Sequence, residues 1–304
     1  MFKYQNLVKA IKRVIKLALA KTHLDQNRTV QYFFKNAYHH AENVQLYFRS
    51  LKLVTRFFGY SNTPSRDNVE IDITYRCNLA CNNCNRSLGD GQAQTNDSMS
   101  LEQIEKFIDD SIKNNFNWKQ IRILGGEPTL HRQFFEVLDI FLKYKREHAP
   151  NVDLQLWTNG CGKKVQELLE QVPDDFKVVN SSKIQGGDEP IFNAFNLAPI
   201  DSGAYKYTDF ANGCSITEKC GVGITPYGYY PCAVAGSIDR ILGLDLGQKD
   251  PAKAYDSMRG QLNDLCRYCG HFRISTAATE IEQSLVWTEA YADYKKEKPQ
   301  LSRY

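Results

Sequence analysis

From residue 69 onward the chain alternates between two hydrophobic periods. Val69, Ile71 and Ile73 are apolar at every second position, as are Ile121 and Ile123, and Leu154 and Leu156. A period of two predicts strands. The positions between them are polar: Glu70, Asp72 and Thr74, then Gln120 and Arg122, then Asp153, Gln155 and the amphipathic Trp157. Between strands the period lengthens to that of a helix. Ser100 and Gln103 have capping-box spacing and open a helix carrying Leu101, Ile104, Ile108 and Ile112. Further helices are expected over 132–148, stopped by Pro150, and over 163–171, stopped by Pro173. Strands are expected at 69–75, 119–124, 152–158 and 176–180, with a fifth at 191–197. Such alternation predicts an α/β fold with a parallel sheet, open or closed into a barrel. Strands of a doubly wound sheet read apolar on both faces. The polar alternate set therefore predicts a face lining a wet or ligand-filled interior, with solvent-exposed edge positions as the alternative.

Either side of this core the texture differs. Residues 1–66 read as a basic helical segment: Val8, Ile11, Val14, Ile15, Ala18 and Leu19 recur at helical spacing, and the stretch 30–58 is rich in aromatics. Residues 1–68 hold twelve Lys and Arg against Asp25, Glu42 and Asp67, which is +9, leaving −6 for the rest of a chain of net +3. Such a segment suits either an anionic partner or a helical cap whose lysines face water. Lys9, Lys12, Arg13 and Lys16 interrupt the apolar run a secretion signal needs, and no apolar stretch reaches bilayer length. A cytoplasmic protein with no transmembrane segment is expected. The division is then a segment 1–66, a barrel-like domain 67–204, and a cysteine-rich module with a closing helix, 205–304. In that last part Thr225 to Tyr229 has hairpin-turn chemistry.

Nine cysteines in 304 residues, in a reducing compartment, point to metal ligation or catalysis rather than disulfides. Cys77, Cys81 and Cys84 lie on one short loop after the first strand. Three thiolates so spaced can each hold one iron of a 4Fe–4S cluster and leave the fourth iron open; a structural zinc site would want a fourth ligand. After the second strand comes Gly125, Gly126, Glu127 and Pro128, where two glycines permit close backbone approach and Glu127 can accept from an ammonium group.

Taken together, these two motifs resemble the radical S-adenosylmethionine (SAM) enzymes over about residues 69–200. That resemblance implies a 4Fe–4S cluster on Cys77, Cys81 and Cys84 whose open iron chelates the methionyl amine and carboxylate of SAM. It implies that Gly125, Gly126 and Glu127 meet the same amine. Thr158 and Asn159, before Gly160, resemble the family's third-strand segment. Ser181 or Ser182 resembles its fourth-strand serine, which reaches the ribose. The chemistry implied is one-electron cleavage of SAM to methionine and a 5′-deoxyadenosyl radical, with a flavodoxin- or ferredoxin-type reductant. Asp72, Thr74, Arg122, Gln155 and Trp157 become the substrate-cavity candidates, although Asp72 and Arg122 would equally suit an internal ion pair. Two departures stand out. Asn83 occupies a position that is commonly aromatic or large and apolar in the family. The gap between the fourth and fifth strands, about ten residues, is too short for a crossover helix, which implies a trimmed barrel of about five strands.

Cys214, Cys220, Cys232, Cys266 and Cys269 form a second group. On spacing alone four of them suit zinc or a second 4Fe–4S cluster. Behind a radical SAM barrel they resemble the auxiliary-cluster modules called SPASM and twitch, five cysteines matching the shorter twitch. Cys214, Cys232, Cys266 and Cys269 are the favoured set, with Cys220 competing for the place of Cys214; Cys161 is expected to be packed rather than catalytic. An auxiliary cluster accepting an electron from a substrate radical would make the protein an oxidoreductase of a small metabolite such as a sugar or cyclitol, an architecture similar to aminoglycoside-type dehydrogenases. A peptide- or protein-modifying radical SAM enzyme and a non-enzymatic zinc protein are the alternatives. A small-molecule or peptide substrate is thus implied, and no nucleic-acid partner is expected.

Overall fold

A computed structural model describes residues 44–89, 92–181, 192–253, 255–273, 277–278 and 282–304. The chain divides into two compact units, Met1–Arg49 and Ser50–Tyr304. Of the first, the described residues from 44 onward are helical, and the helix expected over 8–19 lies outside the described residues. All that follows concerns the second unit.

Its elements are α1 (Lys52–Phe58), β1 (Asn68–Thr74), α2 (Leu101–Lys113), β2 (Gln120–Gly125), α3 (Phe134–Glu147), β3 (Asp153–Thr158), α4 (Lys163–Leu169) and β4 (Phe176–Asn180). Then come β5 (Phe192–Asn193), α5 (Ser215–Lys219), β6 (Val222–Thr225), β7 (Gly228–Tyr230), α6 (Ala233–Leu242), α7 (Arg259–Cys266), β8 (Ala277–Ala278) and α8 (Leu285–Lys296). The main sheet has six strands in the order β4-β3-β2-β1-β6-β7. Its first five are parallel, and β7 pairs antiparallel to β6. A mixed α/β fold with a parallel sheet is what the alternating periods implied, and five parallel strands agree with the trimmed barrel that the family resemblance implied.

The period-two apolar set forms the main core. Val69, Ile71, Ile73, Ile121 and Ile123 are fully buried, and α2 and α3 cover them with Ile104, Phe107, Val137 and Phe141. Each such side chain contributes on the order of 2 kcal/mol by leaving water. The capping box forms as expected: Ser100 Oγ accepts from Gln103 N at 3.3 Å and Gln103 Oε1 accepts from Ser100 N at 3.0 Å. Gln103 Nε2 also donates to the backbone oxygens of Pro226 and Tyr304, both at 2.9 Å. One cap thereby ties the helix start to the β6–β7 turn and to the chain's last residue.

Two expectations are corrected here. The strand near 191–197 is only the two-residue β5, and it pairs antiparallel with β8 outside the main sheet. The fifth parallel strand is β6, which lies on the other side of β1, with Val69, Glu70 and Ile71 opposite Val222, Gly223 and Ile224. Glycine is the physical reason. A Cβ on Gly221, which has φ +77°, would meet Asn68 O, and one on Gly223 would overlap the backbone of Cys232 and Ala233. Val222 and Ile224 alternate as on the other strands, but only the glycines let this strand dock on β1 by close backbone approach, and no local pattern names that neighbour. The polar face of β1 is also not wet, for Glu70, Asp72 and Thr74 are all buried.

Candidate active site and thiol pocket

The parallel strands deliver their carboxyl ends to one side of the sheet, the usual place for chemistry in such folds. Thr74 leads into the loop of Cys77, Cys81 and Cys84, Gly125 into Gly126 and Glu127, Thr158 into Asn159, and Asn180 into Ser181. The three loop thiols are half-buried and in no disulfide. Burial pushes the Cys77 thiol up to about 11; the Leu79 backbone N–H works against that, while Cys84, Cys81 and Glu127 add to it. A thiol so disfavoured as thiolate is one that a metal must deprotonate on binding. Among the described residues no three His, Cys, Asp or Glu side chains converge to hold a single metal ion. A cube of four irons asks for wider spacing, since each thiolate meets a different iron.

The glycines of the second loop allow close approach of backbone to backbone. A Cβ on Gly125, at φ +141°, would meet Thr74 O, and one on Gly126 would meet Arg76 O and Cys77 Cβ. They seat the end of β2 against the backbone of the cysteine loop. Glu127 is fully buried and its carboxylate is engaged by protein. Oε1 accepts from Thr129 Oγ1 at 2.8 Å and Thr158 Oγ1 at 2.9 Å, and Oε2 from Asn159 N at 2.8 Å. Asn159 in turn donates to Asn78 Oδ1 at 2.9 Å, with Cys77 Sγ 3.9 Å away. Gly125, Gly126, Glu127, Thr158 and Asn159 are thus brought together around Cys77. Ser181 donates through N and Oγ to Thr158 O, both at 2.9 Å, and Ser182 lies outside the described residues. The backbone of Cys161 bonds both Asn159 Oδ1 and Asn78 Nδ2.

The cavity candidates form a wired polar layer rather than an open cup. Asp72 pairs with Arg86 at 3.2 Å, not with Arg122. Arg86 also reaches Glu70 at 3.4 Å, and Arg122 meets the other Glu70 oxygen at 3.2 Å. Burial pushes the Asp72 carboxyl up to about 6, against the pull of Arg86. Burial also opposes the charge on Arg86, but Asp72 and Glu70 outweigh it and hold the guanidinium firmly protonated. Trp157 Nε1 donates to Gln155 at 2.9 Å, and Arg122 lies over the Trp157 ring at 5.5 Å. Trp157, 37% exposed, is the member of this set that faces solvent. Thr74 spends its hydroxyl on Ser98, 2.8 Å away, and on the N–H of Arg76. Arg86 escaped the sequence reading because nothing in the local pattern marks a single arginine two residues after a cysteine. Asn83 is buried with φ 52°, a left-handed conformation that asparagine tolerates better than a bulky side chain.

The second group separates cleanly. Cys214, Cys232, Cys266 and Cys269 line one pocket, walled by Val234 and Ile238 among others. Cys220 lies instead against Glu70, and burial followed by that carboxylate pushes its thiol up to about 12. Burial also raises the four pocket thiols, and they raise one another. For Cys214 burial is the leading cause. Cys214, Cys232 and Cys269 each occupy an N-cap. None closes a capping hydrogen bond, but backbone N–H groups of Ile216, Thr217, Ala235, His271 and Phe272 lie near enough to favour the thiolates. His271 also lines this pocket, and sequence reasoning missed it. Burial drops its imidazole to about 4.

Residues 71–180 match the model of the Radical SAM superfamily. GTP 3′,8-cyclase of Aliarcobacter butzleri is 35% identical over 94 residues, 31% of this chain and 27% of that protein. Probable GTP 3′,8-cyclase of Pyrococcus abyssi is 33% identical over 93 residues, again 31% and 27%. The GTP 3′,8-cyclase of Nautilia profundicola is 31% identical over 117 residues, 38% and 34%. The chain spans about a quarter to a third of the length of these curated relatives. Among solved structures, BtrN in complex with AdoMet and 2-DOIA aligns at 16% identity over 67% of this chain and 92% of its own, with a TM-score of 0.41. SuiB of Streptococcus suis bound to S-adenosylmethionine aligns at 17% over 56% and 35%, with a TM-score of 0.29. The relatives named as GTP 3′,8-cyclases overturn the expectation of a sugar or cyclitol oxidoreductase. That expectation leaned on cysteine count and architecture, and neither specifies a substrate. The family match over residues 71–180 and these enzyme relatives likewise speak against the non-enzymatic zinc reading.

Proposed function

We propose that the chain, whose residues 71–180 match the Radical SAM superfamily model, is an enzyme that generates a radical from SAM at its Cys77–Cys84 loop and abstracts a hydrogen atom from a substrate bound beyond the strand ends. The observation that carries this reading is the junction of three loops at Cys77: its own, that of Gly126 and that of Asn159. Cys77, Cys81 and Cys84 would hold a 4Fe–4S cluster. When bound and reduced, that cluster supplies the electron that splits SAM into methionine and a 5′-deoxyadenosyl radical.

The protein's own share is placement. Glu127 locks the ends of β2 and β3 together, and the backbone at Gly125–Glu127, with Thr158, Asn159 and Ser181, would border the bound SAM. Arg86, held by Asp72 and Glu70, anchors the far end of the cysteine loop. Arg122 and Trp157 offer a cationic and aromatic rim for substrate. Cys214, Cys232, Cys266 and Cys269 would hold a second 4Fe–4S cluster, with Cys220 left out because it lies against Glu70. The segment shared with the GTP 3′,8-cyclases supports the radical-generating half of the reaction, and GTP is the first substrate to offer.

The test is anaerobic reconstitution with iron and sulfide, followed by dithionite, SAM and GTP. Native protein is expected to bind about eight irons and to release methionine and 5′-deoxyadenosine. A variant with Cys77, Cys81 and Cys84 all changed to Ala should retain about four irons and release neither product. Product release undiminished in that variant would sink the proposal.

A further inference from the structure

His271 follows Cys269 on the short turn Gly270–Phe272, and its ring lines the pocket shared by Cys214, Cys232, Cys266 and Cys269. Both ring nitrogens are buried, and neither has a hydrogen-bond partner among the described residues. The ring packs beside Phe195, with centroids 6.1 Å apart, and the wall is mostly apolar through Val234, Ile238 and Leu265, with Thr217 spending its hydroxyl on Cys214 O. A buried polar nitrogen left unmet is destabilising. A leucine or phenylalanine would fill the same space without that cost. Among the described residues nothing is placed to receive the ring's donor, and the space the ring lines is the thiol pocket.

We propose that His271 donates a hydrogen bond to the iron–sulfur cluster held by Cys214, Cys232, Cys266 and Cys269, at a sulfide or a cysteine sulfur, and thereby raises the reduction potential of that cluster. The inference rests on the auxiliary-cluster reading given above. Reduction adds negative charge to a cluster already carrying four thiolates, and a hydrogen bond to sulfur stabilises that extra charge. Backbone N–H groups lie near three of the four sulfurs, so the imidazole would be the side-chain member of a donor set that the fold already directs at the pocket.

The test uses the full chain with Cys77, Cys81 and Cys84 changed to Ala, so that only the auxiliary site carries iron. This parent, its H271L form and its H271Q form are reconstituted anaerobically, assayed for iron and sulfide, and titrated potentiometrically with EPR detection. All three should hold about four irons. At the parent's midpoint the H271L cluster should show a reduced-to-oxidised ratio at least ten-fold lower, about 59 mV for a one-electron couple. H271Q, which keeps a donor, should lie between the two. Pulsed EPR of the 15N-histidine parent should show a nitrogen coupling that H271L lacks. Four irons with an unmoved midpoint and no coupling would overturn the proposal. Iron lost from both H271L and H271Q would also overturn it, because the ring would then be a ligand. A parent without four irons would bring down the auxiliary-cluster reading itself, and the proposal with it.

Discussion

Asp72 is fully buried on β1, and Arg86 and Arg240 supply the opposing charge. Burial wins in part: the carboxyl sits at about 6, above its ordinary range. Between about pH 4 and pH 6 the folded protein therefore keeps a proton that the unfolded chain has released. Stability from this group is fully present below the unfolded value and is lost as pH rises through 6. Asp72→Asn removes that dependence. The stability of the wild type relative to Asp72→Asn should fall by about 1–3 kcal/mol between pH 4 and pH 7, as read from urea midpoints of the two proteins. A difference that stays flat with pH would show that the Arg86 pair leaves Asp72 unshifted. The alternating polar residues of β1 were plain in the sequence. Their partners were not, because Arg86 arrives from a loop whose course depends on where the cysteines sit.

At the scale of elements, loops and strands here meet through glycine. Gly126 lets the end of β2 lie on Arg76 and Cys77, with the position of a Cβ only 2.3 Å from Arg76 O. That obstacle is backbone, so no rotamer change relieves it. Gly126→Ala should push the cysteine loop away and cut the iron retained by the Cys77 site, while the auxiliary site keeps its own. Iron counts on Gly126→Ala with and without the three loop cysteines would separate the two sites. An unchanged total would show that the loop yields without losing its cluster. The helix α2 and strand β1 were readable because their apolar periods span several turns or alternations, and β2 to β4 because they recur between helical stretches. The hairpin holding β6 was legible from its turn, but its parallel docking on β1 was not, since that rests on close backbone approach at Gly221 and Gly223.

Across the whole unit, Arg240 joins three regions distant in sequence. It is 1% exposed. It donates to Ala93 O at 3.0 Å, Arg86 O at 2.9 Å, Ser87 O at 3.3 Å and the Tyr294 hydroxyl at 2.9 Å, and lies over the Tyr75 ring at 4.9 Å. α6 thereby clamps the segment after Cys84 and the closing helix α8. Arg240→Met keeps much of the packing but leaves those carbonyls without their donor, at a cost of about 3 kcal/mol or more. A urea midpoint shift of that size is expected, together with faster iron loss from the Cys77 site under chelator. A shift below about 1 kcal/mol would mean that water replaces the guanidinium at little cost.

The sequence by itself determined the α/β alternation, the helix caps and the two cysteine groups, because each is a local pattern: a period, a cap or a spacing. Tertiary structure decided between Cys214, which the sequence favoured, and its competitor Cys220, since the docking of β6 beside β1 sends Cys220 toward Glu70. It decided as well that Glu127 braces two strand ends and that His271 faces the thiol pocket. Those roles depend on burial and on partners thirty or more residues away, and no local pattern encodes the dielectric or the neighbours that folding will supply.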